Sequence, residues 1–294
     1  MSKKVAVVTG ANSGIGFETT VGLAGSGYHV VMACRHQGRA DKAKDAILAR
    51  VPNAGLEVAL ADIGRFDSVR SFAEGFLSCH DNLDLLVNNA GILDYTGQKN
   101  DDGFDLQFAT NHLGHFLLTS LLIGSMPDAP GSRVISMSSV AHKKGRIHFD
   151  DLTCAGKGQS LSAYAQSKLA CLMFADELHR RLSAAGRRVV SVAVHPGGSD
   201  SGLFDGRSRL QYYFLKAIAP LIVHSNKAAA ESSLYAALSD EVVGGSYFGP
   251  RGLMELKGSV GVAKRSDYSR SDEVAARLWD VSEKMVGQKF SIAR

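Results

Sequence analysis

The segment Tyr164-Ala-Gln-Ser-Lys168 sets a phenol and an amine four residues apart. On a helix, residues i and i+4 share a face, so hydroxyl and ammonium would project side by side. A free phenol holds its proton up to a pKa of about 10, and a neighbouring cation favours the phenolate. General acid/base chemistry at neutral pH needs such tuning. An ordinary amphipathic helix can carry the same pair, so its meaning depends on its company. Upstream, Ser132-Arg-Val-Ile-Ser-Met-Ser138-Ser139 reads as a buried strand ending in two serines. Open α/β sheets bind ligands at strand C-termini, so Ser139 is placed to donate a hydrogen bond to a substrate oxygen beside Tyr164. Serines that merely open a loop are the alternative.

A second constellation lies near the N-terminus, in Thr9-Gly10-Ala11-Asn12-Ser13-Gly14-Ile15-Gly16. A short β-branched run, Lys4 to Thr9, precedes it and a helical pattern follows. Strand, glycines, helix is the context of a phosphate-binding turn. The glycines permit close backbone approach, and the N–H groups at the helix start face an anion. The spacing G-x-x-x-G-x-G differs from the common G-x-G-x-x-G, and a tight turn without ligand is the competing reading. The second apolar strand, Tyr28 to Cys34, ends in Arg35 where NAD-binding folds place an acid against the ribose hydroxyls. A guanidinium there suits a 2′-phosphate, which favours NADP(H) without excluding NAD(H); a solvated loop arginine is the alternative.

The elements that must position these groups alternate along the chain. Strands are expected at 4–9, 28–34, 56–61, 83–87, 132–139, 188–194 and 245–248. Helices are expected from about Gly14, then at 38–50, 67–78, 101–123, from about Gln159 to Leu182, at 226–238 and at 272–285. Repeated βαβ units imply a doubly wound parallel sheet of about seven strands with helices on both faces. Although 294 residues would accommodate two domains, α/β folds of this length commonly form one, and a single domain over 1–294 is expected.

Taken together, these residues are similar to a known family. Thr9-Gly10-x-x-x-Gly14-Ile15-Gly16, Ala61-Asp62-Ile63, Asn88-Asn89-Ala90-Gly91, Thr110-Asn111-His112-Leu113-Gly114, Ser138-Ser139, Tyr164-x-x-x-Lys168 and His195-Pro196-Gly197 occur in the order and spacing of the short-chain dehydrogenase/reductases. The chain resembles that Rossmann-type family over nearly its whole length. Ala33-Cys34-Arg35, Ser139-Val140-Ala141-His142 and the long interval from Ser139 to Tyr164 look like its retinol-dehydrogenase-like and protochlorophyllide-reductase-like branch. The resemblance implies that Tyr164 exchanges a proton with the substrate oxygen, Lys168 tunes it and bonds the nicotinamide ribose, and Ser139 polarises the carbonyl. Asn111 would hold a water of a proton relay. Gly10, Asn12, Ser13, Gly14, Ile15 and Gly16 would cradle the pyrophosphate, and Arg35 would select NADP. Asp62 and Ile63 would lie beside the adenine, Asn89, Ala90 and Gly91 would border the adenosine side, and Pro196 and Gly197 would wall the nicotinamide. One departure is local. A threonine often follows the Pro-Gly of the family, whereas here the chain reads Gly198-Ser199-Asp200-Ser201.

Composition agrees with a soluble enzyme: 45% hydrophobic and 21% charged residues are ordinary proportions. A net charge of +4 is too mild to indicate nucleic acid. Cys34, Cys79, Cys154 and Cys171 are scattered, which suggests reduced thiols and no zinc or redox motif. No export signal or membrane-length apolar run is read, and a cytoplasmic location is expected. The segment 198–225, with Leu203, Phe204, Tyr212, Tyr213 and Phe214, is a candidate substrate-binding loop, and 245–294 a C-terminal strand and helix extension. His112 and His115 lack an obvious third ligand for a metal, His195 reads as a strand-end residue, Lys143, Lys144 and Arg146 as a solvated loop, and Trp279 as packing of the last helix. No metal is expected. The apolar faces with Phe116, Leu117 and Leu121, and with Leu169, Leu172 and Phe174, permit a homodimer or homotetramer, though core packing explains them equally.

The favoured function is an NADP(H)-dependent oxidoreductase acting on a carbonyl or alcohol carbon of a small to medium lipophilic molecule. A C=C reductase on the same scaffold and a non-catalytic dinucleotide-binding regulator are the competing hypotheses.

Overall fold

The computed structural model describes residues 3–94, 96–152, 160–198 and 225–292. Its strands are β1 (Val5–Thr9), β2 (His29–Cys34), β3 (Gly55–Leu60), β4 (Leu85–Asn88), β5 (Arg133–Met137), β6 (Val190–Val194), β7 (Tyr247–Pro250) and β8 (Val260–Val262). They form one sheet in the order β3-β2-β1-β4-β5-β6-β7-β8. The first seven run parallel, and β8 pairs antiparallel with β7. The chain leaves β1 in one direction to β3 and restarts at β4 on β1's other side. That reversal opens a crevice at the carboxyl ends of β1 and β4, the usual ligand position in such sheets.

Two apolar cores sandwich the sheet, and strand alternation assigns residues to them. Val7, Val31 and Val134 join the side holding α3 (Phe66–Cys79), α5 (Gly114–Leu122), α6 (Ser160–Ala184) and α8 (Asp272–Val286). Ala6, Val8 and Val30 join the side holding α1 (Gly14–Gly25), α2 (Gln37–Arg50) and α7 (Asn226–Leu238). Burial on both faces explains why β1 and β4 are apolar up to their last residue in sequence. Trp279 packs into the first core, 5.0 Å from the Phe116 ring and 4.5 Å from Phe290. No helix among the described residues is long and apolar enough to cross a membrane.

The expected seven strands are present, and β8 is additional. Its three residues, with Gly261 at the centre, carry too little pattern to be read as a strand. The expected helix over 101–123 needs correction. It starts later, at α4 (Leu106–Phe108), because the Asp105 side chain caps it by accepting from the Phe108 N–H at 2.8 Å. It then widens into a π-helical turn over Ala109–Leu113 before α5. Phe116, Leu117, Leu169 and Leu172 are fully buried within the single chain, so core packing accounts for these four side chains. The candidate loop, including Ser201 and Asp200, lies almost wholly outside the described residues.

Candidate active site

The site is assembled from strand ends. At the end of β1, Gly10 takes φ +66° and Gly14 φ +55°, conformations that disfavour any side chain. A Cβ on Gly16 would stand 2.3 Å from the Gly10 carbonyl oxygen, so only glycine lets the start of α1 sit on the turn. Ser13 precedes α1 without a side-chain capping bond, and the first helical turn carries no acid. No side chain among the described residues caps its N–H groups, which stand at the positive end of the helix dipole. Gly14 has open space where a side chain would be.

Thr9 ties this turn to the end of β4. Its hydroxyl accepts the N–H groups of Asn89 and Ala90, both at 2.9 Å, while the Asn89 amide donates to the Thr9 carbonyl at 2.8 Å. Asn12 is half-buried on the turn, and Ile15 is packed into the core below it. Beneath lies Cys34, buried, its thiol receiving the Ala11 and Asn12 N–H groups; burial pushes that thiol up to about 11. The adjoining Arg35 is exposed, with its Nε 3.2 Å from His36 Nε2. Asp62 is half-buried, and its carboxylate accepts the Gly64 N–H at 3.1 Å. Ile63 is buried in the core. A Cβ on Gly114 would stand 1.9 Å from the Ile63 carbonyl, so glycine brings α5 against this turn.

At the end of β5 the two serines separate in role. Ser138 is buried and donates to the Lys168 carbonyl at 2.7 Å, a structural bond. Ser139 is half-buried, and its oxygen accepts the Ala141 N–H at 3.2 Å, which leaves its own O–H free to donate. Lys168 Nζ donates to the Met137 carbonyl at 3.1 Å, so α6 is pinned to this strand end. One turn earlier sits half-buried Tyr164, whose ring centroid lies 5.8 Å from that Nζ. Asn111, in the π-turn, donates to the Ser167 hydroxyl at 2.9 Å and to the Ile92 carbonyl at 3.0 Å, and accepts the Ile92 N–H at 2.8 Å. A Cβ on Gly91 would lie 3.0 Å from Lys168 Nζ and 3.2 Å from Asn111 Oδ1, so Gly91, Asn111 and Lys168 converge on one spot.

The wall beyond β6 is equally constrained. Gly197 has φ +76°, and a Cβ there would stand 2.4 Å from the Leu256 carbonyl, beside buried Pro196. Gly198 N–H donates to that same carbonyl at 3.1 Å. Lys143 is not merely solvated: it pairs with the buried Glu255 carboxylate, which also accepts the Lys264 N–H at 2.6 Å. Arg146 lies over the Tyr268 ring at 4.6 Å. Burial opposes ionisation of Glu255, and the Lys143 and Lys264 bonds outweigh it, holding the carboxyl below its usual range. His195 is buried, and desolvation pushes its pKa down to about 4, which favours the neutral imidazole.

These residues fit a dinucleotide. Uncapped helix N–H groups and glycines at the turn suit a pyrophosphate. A guanidinium follows β2, and hydroxyl, amine and carboxamide groups gather at the far end of the crevice. The short chain dehydrogenase family profile matches residues 4–209. The chain belongs to the short-chain dehydrogenase family. Human retinol dehydrogenase 11 is 37% identical over 286 residues, covering 97% of this chain and 86% of that protein. An uncharacterized protein from Mycobacterium Paratuberculosis has a crystal structure similar at a TM-score of 0.80 and 36% identity, covering 99% of this chain and 96% of that one. A blue fluorescent protein from a metagenomic library, solved in complex with NADPH, is similar at a TM-score of 0.63 and 26% identity, over 83% of this chain and 94% of that one. This short-chain dehydrogenase is retinol-dehydrogenase-like, a dinucleotide-dependent oxidoreductase acting on CH–OH or C=O groups.

The sequence reading missed several supports. Thr9 stood in the quoted motif without a role, and its position just before the turn was the available signal. His115 carries no sequence pattern beyond its spacing from His112. Ser167 and the Lys143–Glu255 pair gave no local signal, since their partners lie 56 and 112 residues away.

Proposed function

We propose that the chain is an NADP(H)-dependent oxidoreductase of lipophilic carbonyl or alcohol compounds, with Tyr164 as proton donor and acceptor. The observation that carries this is the pinning of Lys168 Nζ to the Met137 carbonyl at 3.1 Å, which brings α6, and with it Tyr164, to the strand end that bears Ser139. In the reductive direction the Tyr164 hydroxyl gives its proton to the substrate oxygen, and in the oxidative direction it takes one back. The Ser139 O–H donates to the same oxygen and holds it near the phenol. The Lys168 ammonium stabilises negative charge left on the phenolic oxygen. Asn111 fixes the π-turn against Ile92 and Ser167, beside Lys168, where a water of a proton relay would sit. When bound, the nicotinamide supplies or accepts the hydride.

Gly10, Asn12, Ser13, Gly14, Ile15 and Gly16 would hold the pyrophosphate; Asp62, Ile63, Asn89, Ala90 and Gly91 the adenosine side; Pro196 and Gly197 the nicotinamide wall. Arg35 supports NADP(H) over NAD(H): it is exposed at the end of β2, with no acid there to bind ribose hydroxyls. NADPH also accompanies the metagenomic neighbour. A lipophilic substrate is supported by the apolar sequence of 198–225 and by relatives named retinol dehydrogenases. Free thiols at Cys34, Cys79 and Cys171 are consistent with the cytoplasm.

NADPH consumption over a panel of aldehydes, ketones and enones tests the reaction class. Turnover of aldehydes or ketones is expected, and turnover of enones alone at the C=C bond would replace this reading. Tyr164→Phe should lower kcat by about 10²–10⁴-fold while NADPH binding, followed by fluorescence, is kept. Undiminished turnover in that variant would remove Tyr164 from its role.

A further inference from the structure

At the amino ends of the strands, opposite the crevice, three side chains converge. His29 opens β2, Glu57 lies on the edge strand β3, and His80 follows the last residue of α3. Strand register brings the first two to one face: His29 pairs with Gly55, and Glu57 stands two residues further along β3. A Cβ on Gly55 would lie 2.8 Å from His29 Nδ1, so the imidazole lies against a position kept free of side chain. His80 stacks on Phe76 at 4.7 Å, which directs its ring toward the same carboxylate.

Both imidazoles present Nε2 to one oxygen. Glu57 Oε2 lies 3.0 Å from His80 Nε2 and 3.5 Å from His29 Nε2. One ligand atom from each of the three residues lies within 4.8 Å of the other two. The first separation is an ordinary hydrogen bond. The second is longer than hydrogen bonds normally run, so hydrogen bonding alone accounts for one imidazole and not the other. Zinc–nitrogen and zinc–oxygen bonds of about 2.0–2.2 Å in a tetrahedron set their ligand atoms roughly 3.3 Å apart. The two observed separations bracket that value. The ring centroids of His29 and His80 are 5.7 Å apart, so a small rotation of the more exposed His29 ring closes the third edge. The negative end of the α3 dipole adds a sequence-independent preference for a cation at this place.

We propose that His29, Glu57 and His80 form a binding site for a divalent transition ion of the zinc class, independent of the oxidoreductase site. Two imidazoles and one carboxylate suit zinc, nickel, cobalt or copper(II) and not calcium or magnesium, which take oxygen ligands. Three protein ligands leave a fourth position for water. The ion would fasten the edge strand β3 and the end of α3 to β2, so its effect is on stability and not on hydride transfer.

The test uses full-length protein stripped with a chelator and titrated with zinc by calorimetry and with cobalt by visible absorbance. One equivalent should bind, with cobalt bands of a low-coordinate site and a rise in the melting temperature. His29→Gln and His80→Gln should each weaken binding by at least about tenfold, the effect that even supporting groups around a metal exert. The double variant should abolish it with turnover unchanged. Cys79→Ser, removing the exposed thiol beside His80, should bind as the parent does. Absence of stoichiometric uptake by the parent, or undiminished uptake by the folded double variant, would overturn the proposal.

Discussion

The hydroxyl of Thr9 lies 2.9 Å from His115 Nε2, and this contact joins the glycine turn to the helix that carries Asn111. His115 Nδ1 faces the Asn111 carbonyl at 3.1 Å, so it must carry the ring proton and Nε2 must accept. Thr9 then donates to His115 at the shorter distance, with the Val87 carbonyl at 3.3 Å as a second acceptor, and accepts from Asn89 and Ala90. Thr9→Val keeps the shape and removes all of this. It should cost about 2–4 kcal/mol in urea unfolding, because buried donors and an acceptor lose their partner. Thr9→Ser should cost less than about 1 kcal/mol, the loss of one buried methyl. Equal costs for the two would show that packing and not the hydroxyl matters.

Cofactor choice depends on a single exposed guanidinium. Arg35→Ser should raise KM for NADPH by about 10–100-fold, the worth of a charge-assisted bond to phosphate, and leave KM for NADH within about twofold. Parallel kinetics with both dinucleotides decide it. A uniform change in both would mean that Arg35 acts on the fold of the β2 end.

Close approach at the turn gives a sharper prediction. Gly16→Ala introduces a Cβ 2.3 Å from the Gly10 oxygen and 2.5 Å from Asn89 Nδ2. The α1 start must move, so dinucleotide affinity should fall by more than about tenfold, a loss of at least about 1.4 kcal/mol. Gly25→Ala, where nothing lies within 4 Å, is the control and should bind normally.

Acid should destabilise the fold through its buried histidines. Burial pushes His112 down to about 3, and His115 and His195 down to about 4. Unfolded histidine titrates near pH 6.5. Between those values the unfolded chain binds protons that the folded chain refuses, so stability falls as pH is lowered. It is fully present above about pH 6.5 and is lost progressively toward about pH 3. Melting temperatures measured across that window should show the decline. His112→Asn, at a ring that contacts Ser282 at 2.8 Å, should flatten the slope even if it lowers the plateau. An unchanged slope would locate the acid sensitivity elsewhere.

The order of the elements and the neighbourhood of Tyr164, Lys168, Asn111 and the strand end at Ser139 were legible in the sequence, because each occupies a strand end or a helix face with its own local pattern. The π-turn at Asn111 was not. Its residues are as helical in propensity as their neighbours, and the contacts around it, Gly114 against Ile63 and Asn111 with Ile92 and Ser167, join residues distant in sequence. The structural bond of Ser138 was equally hidden, since it depends on the Lys168 carbonyl 30 residues on. Lys143 looked like solvated loop because its partner, Glu255, belongs to the segment before β8, itself too short to read.

The widened turn at Ala109–Leu113 amounts to one surplus residue within an otherwise regular coil. Each residue of an α-helix advances the spiral by about 100°. Excising one residue there would restore an unbroken spiral and rotate everything upstream, while Phe116 and Leu117 kept their places in the core. Such a shortened chain would turn its carboxamide away from Ile92 and Ser167 and swing Phe108 out of the core. The surplus residue thus acts as a phase shifter, letting one helix obey two demands that a uniform pitch could not meet together.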